Sequence, residues 1–583
     1  MKHIRTVVIV AALICTNAAY ATVWYVHPDS VLNCIQHCLD SCSTGDTVLV
    51  GPGVYSEHIV WPSIQGIDLV SEYGVDMTYI DGGGTAIVIE INTGVDSTTM
   101  ISGFTIQNGY PAGIYCFQNT SPTITGNTIT NNTSNDHGGG IYCLYSSSPT
   151  ITNNIITGNT GMWAGGIDCN QTSAPTITGN TITGNTSYRG AGISCYYGSS
   201  PTITDNTITQ NTAAWTGGGI WCTVNCSPTI TGNTITDNSV TGGGSQDVGG
   251  GICCMYNSSP PITDNTISNN SASAGGGILC YENSSPSIIN NTITGNTVTA
   301  GGGGILIYQY CSPTITDNII TGNTAEGGGG LALQTTSSLV TGNTFSGNTA
   351  DFGGGIHCTV DDLSTITSNI ITGNTANSFA GGISCKLGAS PVIEHCTIAG
   401  NYGDGIYCFE DANPTINHNN IIDNVGYGVR NISSITVNAE DNWWGDSTGP
   451  YHPTTNPGGL GDTVSDYVDF VPWMGEPGIE EYEISYPPKL NVQITPNPFT
   501  QFTNIRYTIH DARSTMQKPQ ISIYDASGRL VKSFNLESSI QGQESKVVWN
   551  GYDNNGKRVP AGTYFCRIIV GERSIIEKAT LIE

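Results

Sequence analysis

The amino-acid sequence predicts an all-β protein, with a right-handed parallel β-helix solenoid followed by a small C-terminal β-sandwich. Three observations predict this fold class. A motif recurs about every 26 residues between Gly113 and Asn424, apolar side chains alternate within each copy, and the composition changes at Leu490. A repeat of this length is typical of a solenoid, in which each copy forms one coil.

The repeated motif is SPTITGNT and its close variants. Counted from its proline, positions two and seven are apolar in all twelve copies, as at Ile124 and Ile129, and their neighbours are mostly threonine. This alternation predicts two strands of three to four residues. A third short strand follows a glycine-rich loop, as in Gly140-Ile141-Tyr142-Cys143. Three short strands per coil without a helical period predict the parallel β-helix.

Asparagine recurs at two positions of the motif. It occupies position five in eleven copies, interrupted by Cys396, and position ten in all twelve copies. Asparagine tolerates left-handed backbone angles, and its amide both donates and accepts hydrogen bonds. We therefore expect asparagines at the corners of the coils, stacked into two internal amide ladders.

Ten of the 19 cysteines share one position of the third strand. In-register neighbours have Cβ vectors that run parallel, which disfavours disulfides, so we expect a column of mostly buried free thiols. The ten residues are Cys116, Cys143, Cys169, Cys195, Cys222, Cys254, Cys280, Cys358, Cys385 and Cys408, and Ile307 with Leu333 completes the column.

The N-terminal region contains two further predicted elements. Residues 1–21 have the basic start, apolar run and Ala19-Tyr20-Ala21 ending of a secretory signal peptide. Residues 22–100 are expected to cap the solenoid with a short helix, because the apolar residues Val31, Ile35, Cys38, Leu39 and Cys42 have helical spacing. A metal site formed by Cys34, His37, Cys38 and Cys42 is the alternative for this segment.

The repeat resembles the pectin-lyase-like right-handed β-helix superfamily, in particular the bacterial parallel β-helix repeat proteins. The segments Gly45–Glu57 and Asn442–Pro450 carry this resemblance together with the coils, and it covers about residues 23–475. It implies regular coils over 101–430 and a closing segment over 431–475 within a β-helix domain of 22–475. The superfamily contains lyases, hydrolases, epimerases and inert surface proteins, so the resemblance implies the fold more than an activity.

The C-terminal segment, residues 489–583, contains seven alternating β segments and follows a linker over 476–488. Pro496–Phe499, Ile523–Asp525 and Val547–Phe565 are similar to the type IX secretion sorting domain and to the hook-cap (FlgD-like) immunoglobulin-like domain, and the choice between the two stays open. The resemblance implies export across an outer membrane, with the secretion machinery as the partner of residues 489–583.

The composition excludes several classes of function. The net charge is -28 and charged residues make up 11% of the chain, which disfavours nucleic-acid binding, a coiled coil and a highly charged disordered chain. Between the signal peptide and Lys489 the only basic residues are Arg189, Lys386 and Arg430. We expect a secreted or cell-surface monomer that requires no cofactor, with calcium as an option.

One cluster on the last coils predicts an alternative, enzymatic function. A base, a cation and several carboxylates in three successive copies could bind calcium or abstract a sugar proton, as in a polysaccharide lyase or glycoside hydrolase. A solvated mixed-charge surface is the competing interpretation, and the sequence favours a protein that is not an enzyme. The cluster comprises His357, Asp361, Asp362, Lys386, Glu410 and Asp411. His395 and His418, at position four of adjacent copies, are a further metal or pH-sensitive pair, or merely turn residues.

The preferred function is structural or adhesive, with a polysaccharide or cell-surface glycan as the ligand. Aromatic side chains recur on the third strand and are expected to point outward, where they could stack on sugar rings. These candidate ligand-binding residues are Tyr115, Tyr142, Tyr196, Trp221, Tyr281, Tyr308, Tyr407 and Phe409, with Phe117 beside them. Thr-x-Thr pairs such as Thr123 and Thr125 raise a remote alternative, an ice-binding surface.

Overall fold

The computed structural model describes residues 21–92, 94–242, 248–475, 489–510, 520–525, 530–535, 544–554, 556–570 and 573–582. The predicted signal peptide, except for Ala21, and the predicted linker lie outside the described residues. The chain divides into two compact units, 1–477 and 478–583. None of the helices in the described ranges is long and apolar enough to cross a membrane.

The first unit is a β-solenoid built from three parallel sheets, which confirms the predicted fold class. We call these sheets 1, 2 and 3 in the order in which each coil visits them after the motif proline. Sheet 1 has 18 strands, and sheets 2 and 3 have 15 each. Because strands begin at Val23, the coils extend through the segment that the sequence assigned to the cap.

The strands of all three sheets are short. Those of sheet 1 are Val23–Val26, Thr47–Val50, Asp68–Ser71, Met100–Ser102, Thr123–Thr125, Thr150–Thr152, Thr176–Thr178, Thr202–Thr204, Thr229–Thr231, Pro261–Thr263, Ser287–Ile289, Thr314–Thr316, Leu339–Thr341, Thr365–Thr367, Val392–Glu394, Thr415–Asn417, Val437–Asn438 and Val468–Asp469. Those of sheet 2 are Gly53–Tyr55, Thr78–Asp81, Thr105–Gln107, Thr128–Thr130, Ile155–Thr157, Thr181–Thr183, Thr207–Thr209, Thr234–Thr236, Thr266–Ser268, Thr292–Thr294, Ile319–Thr321, Thr344–Ser346, Ile370–Thr372, Thr397–Ala399 and Asn420–Ile422. Those of sheet 3 are Ile59–Val60, Ile89–Ile91, Ile114–Phe117, Ile141–Leu144, Ile167–Asn170, Ile193–Tyr196, Ile220–Thr223, Ile252–Met255, Ile278–Tyr281, Ile305–Tyr308, Leu331–Gln334, Ile356–Thr359, Ile383–Cys385, Ile406–Cys408 and Val429–Asn431.

Equivalent residues of successive coils stack directly on one another. Ile124 pairs with Ile151 in sheet 1, and Ile129 pairs with Ile156 in sheet 2. These isoleucines are fully buried and form one continuous core with the inward residues of sheet 3. Since side chains alternate along a strand, the flanking threonines lie on the outer faces.

Two ladders of buried asparagines confirm the predicted amide stacking. The Nδ2 of Asn180 donates to Oδ1 of Asn206 over 3.0 Å and also donates to the carbonyl of Ile151 over 2.8 Å. The expected backbone role is wrong, because the left-handed residue precedes each ladder asparagine, as Gly179 (φ +65°) precedes Asn180. The asparagine side chain is therefore needed for its hydrogen bonds and not for its backbone angles. The residue before it has the left-handed conformation that turns the chain at the corner of the coil.

The ten column cysteines are buried and free, as the sequence predicts. They pair in register, for example Cys116 with Cys143 and Cys195 with Cys222. Burial raises the pKa of Cys169 to about 11, so this thiol stays protonated at neutral pH.

A helix of five residues, Ile35–Leu39, lies near the start of the solenoid and confirms the predicted cap helix. Its residues Ile35, Cys38 and Leu39 are buried, and Glu57 accepts hydrogen bonds from the backbone N–H groups of Ile35 and Gln36, both over 2.9 Å. Val31 is fully exposed, so the helical interpretation is wrong for that residue.

Additional short strands lie between sheets 2 and 3. A parallel sheet of six strands, sheet 4, follows sheet 2 in the middle coils, and a pair of strands continues the same position later in the chain. The six strands are Thr160–Gly161, Thr186–Arg189, Thr212–Thr216, Ser239–Val240, Ser271–Ala272 and Thr297–Val298, and the pair is Thr349–Phe352 with Thr375–Phe379. Near the C-terminal end of this unit, Pro450–Tyr451 pairs with Gly461–Thr463.

The described residues of the second unit form seven strands in two antiparallel sheets, in agreement with the seven predicted segments. Its core includes Phe499, Trp549 and Tyr564, whose rings pack edge to face with centroids 5.0–5.3 Å apart. The three-stranded sheet contains Lys489–Thr495, Thr503–His510 and Glu544–Trp549, and the four-stranded sheet contains Gln520–Asp525, Leu530–Asn535, Gly562–Val570 and Arg573–Leu581.

Candidate functional site

The outer face of sheet 3 carries two parallel columns of side chains, where the sequence predicted one. The first outer column runs from Tyr115 through Tyr142 and Asp168 to Ser194 and Trp221. The second outer column lies two residues further along each strand, and includes Phe117, Tyr196, Tyr281 and Tyr308. The predicted aromatic residues divide between these columns.

The first outer column is covered by the loops that precede each strand. Tyr142, Trp221 and Tyr407 are only 7%, 3% and 2% exposed, so the predicted exposure of these three side chains is wrong. Gly217, at φ +67°, shows how close the cover lies, because a Cβ atom there would lie 2.6 Å from Cβ of Trp221. Outward side chains of sheet 3, with Trp163 and Val248 from the loops, thus form a second, smaller apolar cluster outside the main core.

The aromatic side chains of the second outer column are half-buried. Tyr196 stacks on Trp163 with ring centroids 5.3 Å apart, and Tyr281 stacks on Tyr308 at 5.4 Å. Burial raises the pKa of Tyr196 and of Tyr281 to about 12. Tyr115, in the first column, and Phe409 are also half-buried. These rings pack against neighbouring aromatic side chains and are only partly open to solvent.

Four tyrosines that the sequence interpretation missed are well exposed. They lie in the turn directly after the third strand: Tyr145, Tyr197 and Tyr256 are 46%, 49% and 40% exposed, and Tyr310 is also exposed. All four have a positive φ, near +50° to +60°, which is uncommon for an aromatic residue. A tyrosine in a turn otherwise rich in asparagine and serine is the signal that could have revealed them.

Two of these tyrosines line an open groove, which we call the turn groove. It has a volume of about 1130 Å³ and crosses successive coils at the turn after sheet 3. Its lining residues are Gly94, Gln118, Asn119, Tyr145, Ser146, Gln171, Thr172 and Tyr197. No charged side chain lines this groove, which combines aromatic rings with amide and hydroxyl groups.

Arg189 lies among aromatic rings near the first outer column. Its Cζ atom is 3.9 Å from the ring centroid of Trp215 and 4.7 Å from that of Trp163. Burial lowers the pKa of Arg189. The ion pairs seen among the described residues do not include Arg189, so stacking on the rings is what holds this cation.

Asp168 is a buried carboxyl group in the first outer column. Neither of its oxygens has a hydrogen-bond partner of normal geometry among the described residues, and Nδ1 of His137 lies 3.8 Å from Oδ2. Burial raises the pKa of Asp168 to about 7, and the nearby hydroxyl of Ser194 lowers it in part. The His137 ring stacks on Tyr142 at 4.5 Å and so covers the carboxyl group.

The predicted catalytic cluster is divided between three environments. His357 is buried on the outer face of sheet 3, and burial together with the charge of Lys386 lowers its pKa to about 3. Asp362 lies on the inner side, where it accepts a hydrogen bond from Oγ of Ser364 over 2.6 Å, and burial raises its pKa to about 6. The third environment is the exposed turn, which holds Asp361, Glu410 and Asp411.

The remaining residues predicted as catalytic or metal-binding are Lys386 and the pair His395 and His418. The Nζ atom of Lys386 lies 4.9 Å from the ring centroid of Phe352. His395 and His418 stack with centroids 5.4 Å apart. Within the part of the chain that the structure describes, no group of three or more His, Cys, Asp or Glu side chains is arranged to hold a metal ion, and this includes the cysteines of the cap helix.

Comparison with protein families identifies the solenoid. The family described as right handed beta helix region matches residues 85–267, 245–362 and 325–447, which together cover more than half of the chain. The chain belongs to the right-handed β-helix family. In this β-helix protein, residues 503–568 also match the FlgD Ig-like domain, which agrees with one of the two resemblances predicted for the C-terminal segment.

Other comparisons add little to the β-helix assignment. A comparison with curated proteins gives no match. Among solved structures, the β-helix protein is similar to a crystal structure of dimeric latent PorU from Porphyromonas gingivalis, with 20% identity and a TM-score of 0.14. That similarity covers 16% of this chain and 9% of the other, so it carries no argument about the fold or function.

Proposed function

We propose that this β-helix protein binds a polysaccharide in the turn groove, as a secreted or cell-surface protein with a structural or adhesive role. One observation carries the proposal: exposed tyrosine rings alternate with glutamine amides along an open groove. The sequence of the column is Gln118, Tyr145, Gln171 and Tyr197. Tyrosine faces stack on sugar rings, and amides exchange hydrogen bonds with sugar hydroxyls.

The rigidity of the scaffold supports this function. Backbone hydrogen bonds tie each turn to the next coil, such as Ser146 N–H to the carbonyl of Gln171 and Thr172 N–H to that of Tyr197, both over 3.0 Å. Side chains on such a frame lose little conformational freedom when a ligand binds, which favours affinity from a shallow surface. The predicted signal peptide and the FlgD Ig-like domain are compatible with export and surface location.

A glycan panel tests the proposal. We expect the purified chain to bind at least one polysaccharide, and the double variant Tyr145→Ala/Tyr197→Ala to bind it at least about tenfold more weakly. Tyr73→Ala removes an exposed tyrosine that is not part of the groove and serves as the matched control. Unchanged binding by the double variant, or no binding to any glycan, would contradict the proposal.

The same panel also separates binding from catalysis. Release of reducing sugars or unsaturated uronates, abolished by Lys386→Ala, would replace the proposal with the predicted lyase or hydrolase. We expect binding without turnover, because burial keeps His357 neutral and Asp362 lies on the opposite side of sheet 3 from it.

A further inference from the structure

Between Tyr145 and Tyr256, exposed tyrosines occur at every second coil of the turn that forms the groove. Tyr145 is followed two coils later by Tyr197, and Tyr197 is followed two coils later by Tyr256. The intervening positions hold Gln171 and Val224, which are not aromatic. The groove contains the first two tyrosines, and the same column extends to the third.

Each of these tyrosines is braced by a ring of the second outer column. Phe117 packs edge to face on Tyr145 with centroids 5.4 Å apart, and Tyr281 packs edge to face on Tyr256 at 6.1 Å. Tyr197 lies against its neighbour Tyr196 at 4.0 Å. The bracing fixes the ring orientations before a ligand arrives, which reduces the entropy lost on binding.

The spacing between braced tyrosines indicates the shape of the ligand. Coils rise by about 4.8 Å, so tyrosines two coils apart lie about 9.6 Å from each other along the coil axis. Two pyranose rings in an extended β-linked chain span a similar length. A chain parallel to the coil axis would therefore place every second ring on a tyrosine and turn the hydroxyls between them towards Gln171.

The charge of the solenoid indicates the charge of the ligand. The lining of the turn groove contains no charged side chain, and Glu282 follows Tyr256 in the same column. Only Arg189, Lys386 and Arg430 are basic between the predicted signal peptide and Lys489, a region that holds most of the 45 acidic residues. A negatively charged chain would be repelled by this surface.

We propose that the ligand is an uncharged, extended, β-linked polysaccharide that lies parallel to the coil axis and is held in steps of two sugar residues by Tyr145, Tyr197 and Tyr256. This inference rests on the proposed function and adds the class, direction and repeat of the ligand. Each braced tyrosine provides one stacking position, so three positions correspond to about six sugar residues.

Calorimetric titration of the full chain with oligosaccharides of increasing length tests this inference. The probes are uncharged β-1,4-linked glucose and mannose oligomers of two to eight residues. For at least one series we expect affinity to rise at every second added residue and to level off at about six. Oligomers of a helical α-1,4-linked glucan and of a β-linked uronate should bind at least about tenfold more weakly.

A single variant tests whether Tyr256 provides the third stacking position. Tyr256→Ala should lower affinity for the six-residue oligomer about fivefold or more and leave the four-residue oligomer unchanged. Tyr310→Ala is the matched control, since Tyr310 is exposed in a turn of the same kind but lies one position outside the column. Thermal unfolding at the wild-type temperature would verify that both variants are folded.

The failures of the two proposals are distinguishable. If glycans bind through Tyr145 and Tyr197 but affinity does not depend on length in steps of two, or favours the helical or charged oligomers, the inference about the ligand is wrong and the proposed function stands. If no glycan binds to the chain, both are wrong.

Discussion

The Nδ1 atom of His137 lies 3.8 Å from Oδ2 of Asp168, a carboxyl group that is completely buried on the outer face of sheet 3. Burial lowers the pKa of His137 and raises that of Asp168 to about 7, so both groups favour the neutral form. The covering loops create this pair, because without them Asp168 would lie on a strand position open to solvent.

Asp168 should make the protein less stable as the pH rises. An unfolded aspartate has a pKa near 3.9, so between about pH 4 and 7 the folded state retains a proton that the unfolded state has lost. Stability therefore falls through this window and stays low above it. We expect Asp168→Asn to be more stable than wild type at pH 8 by about 2–4 kcal/mol, and similar at pH 4.5.

Chemical denaturation at both pH values measures this effect. Asp136→Asn is the control, because Asp136 is exposed beside His137. An Asp168→Asn variant with wild-type stability at pH 8 would show that the carboxyl group is solvated.

His357 should have the opposite dependence. Its pKa of about 3 in the folded protein lies below the value near 6.5 of an unfolded histidine, so the unfolded state alone gains a proton as the pH falls. Stability is then lost between about pH 6.5 and 3. We expect His357→Gln to lose about 2–4 kcal/mol less than wild type between pH 7 and 4, by chemical denaturation. The exposed His37, changed to Gln, provides the control variant; equal losses in all three proteins would refute the prediction.

The asparagine ladders should contribute strongly to stability. Asn180→Ala removes the Nδ2 donor to three oxygens and also removes the Oδ1 acceptor of the backbone N–H of Asn154, whose Nδ2 loses one of its three acceptors. Because these groups are buried, we expect a loss of about 3–5 kcal/mol in the free energy of unfolding. Asn135→Ala, which removes one exposed hydrogen bond to Tyr110, should cost less than about 0.5 kcal/mol. Similar costs for both would exclude a structural role for the ladder.

Cys396 interrupts the asparagine ladder at position five of the motif, and replacing it should stabilise the protein. The thiol of Cys396 stands where the other copies have an amide, and Nδ2 of Asn369 meets its Sγ at 3.9 Å. Cys396→Asn would restore a good acceptor for Asn369 and new donors to the carbonyls of Ile366 and Glu394, which the thiol contacts. We expect a gain of about 1 kcal/mol in thermal or chemical denaturation. Cys385→Asn, placed in the apolar column, should be destabilising; a loss in both variants would contradict the ladder argument.

The contact between the covering loop and Trp221 can be tested at a glycine. Gly217→Ala would place a Cβ atom 2.6 Å from Cβ of Trp221, whereas Gly373→Ala meets no atom within 4 Å. The two glycines have similar φ values, +67° and +61°, so both variants carry the same backbone cost. We expect Gly217→Ala to be less stable than Gly373→Ala by about 1–3 kcal/mol, and the buried Trp221 to become more accessible to a fluorescence quencher. Equal stability would mean that the loop does not pack on sheet 3.

The candidate site was only partly predictable. The aromatic character of the third strand and its turn is visible in the sequence, and so is the alternation that separates inward from outward residues. The covering loops were not predicted, because glycine-rich segments have no hydrophobic period to show where they pack. The sequence pattern therefore places Tyr142 and Trp221 in solvent, and it does not single out the exposed Tyr145 and Tyr197.

The sequence by itself determined the coil. A motif with isoleucine at fixed positions can bury its apolar side chains only by stacking copy upon copy, and the asparagine and cysteine columns then follow from register. The tertiary structure alone decided which outer face stays open. The loops that precede the strands of sheet 3 cover the first outer column, and their glycine-rich sequence has no apolar period that would reveal this contact. The turn groove exists because that cover stops short of the turn after sheet 3.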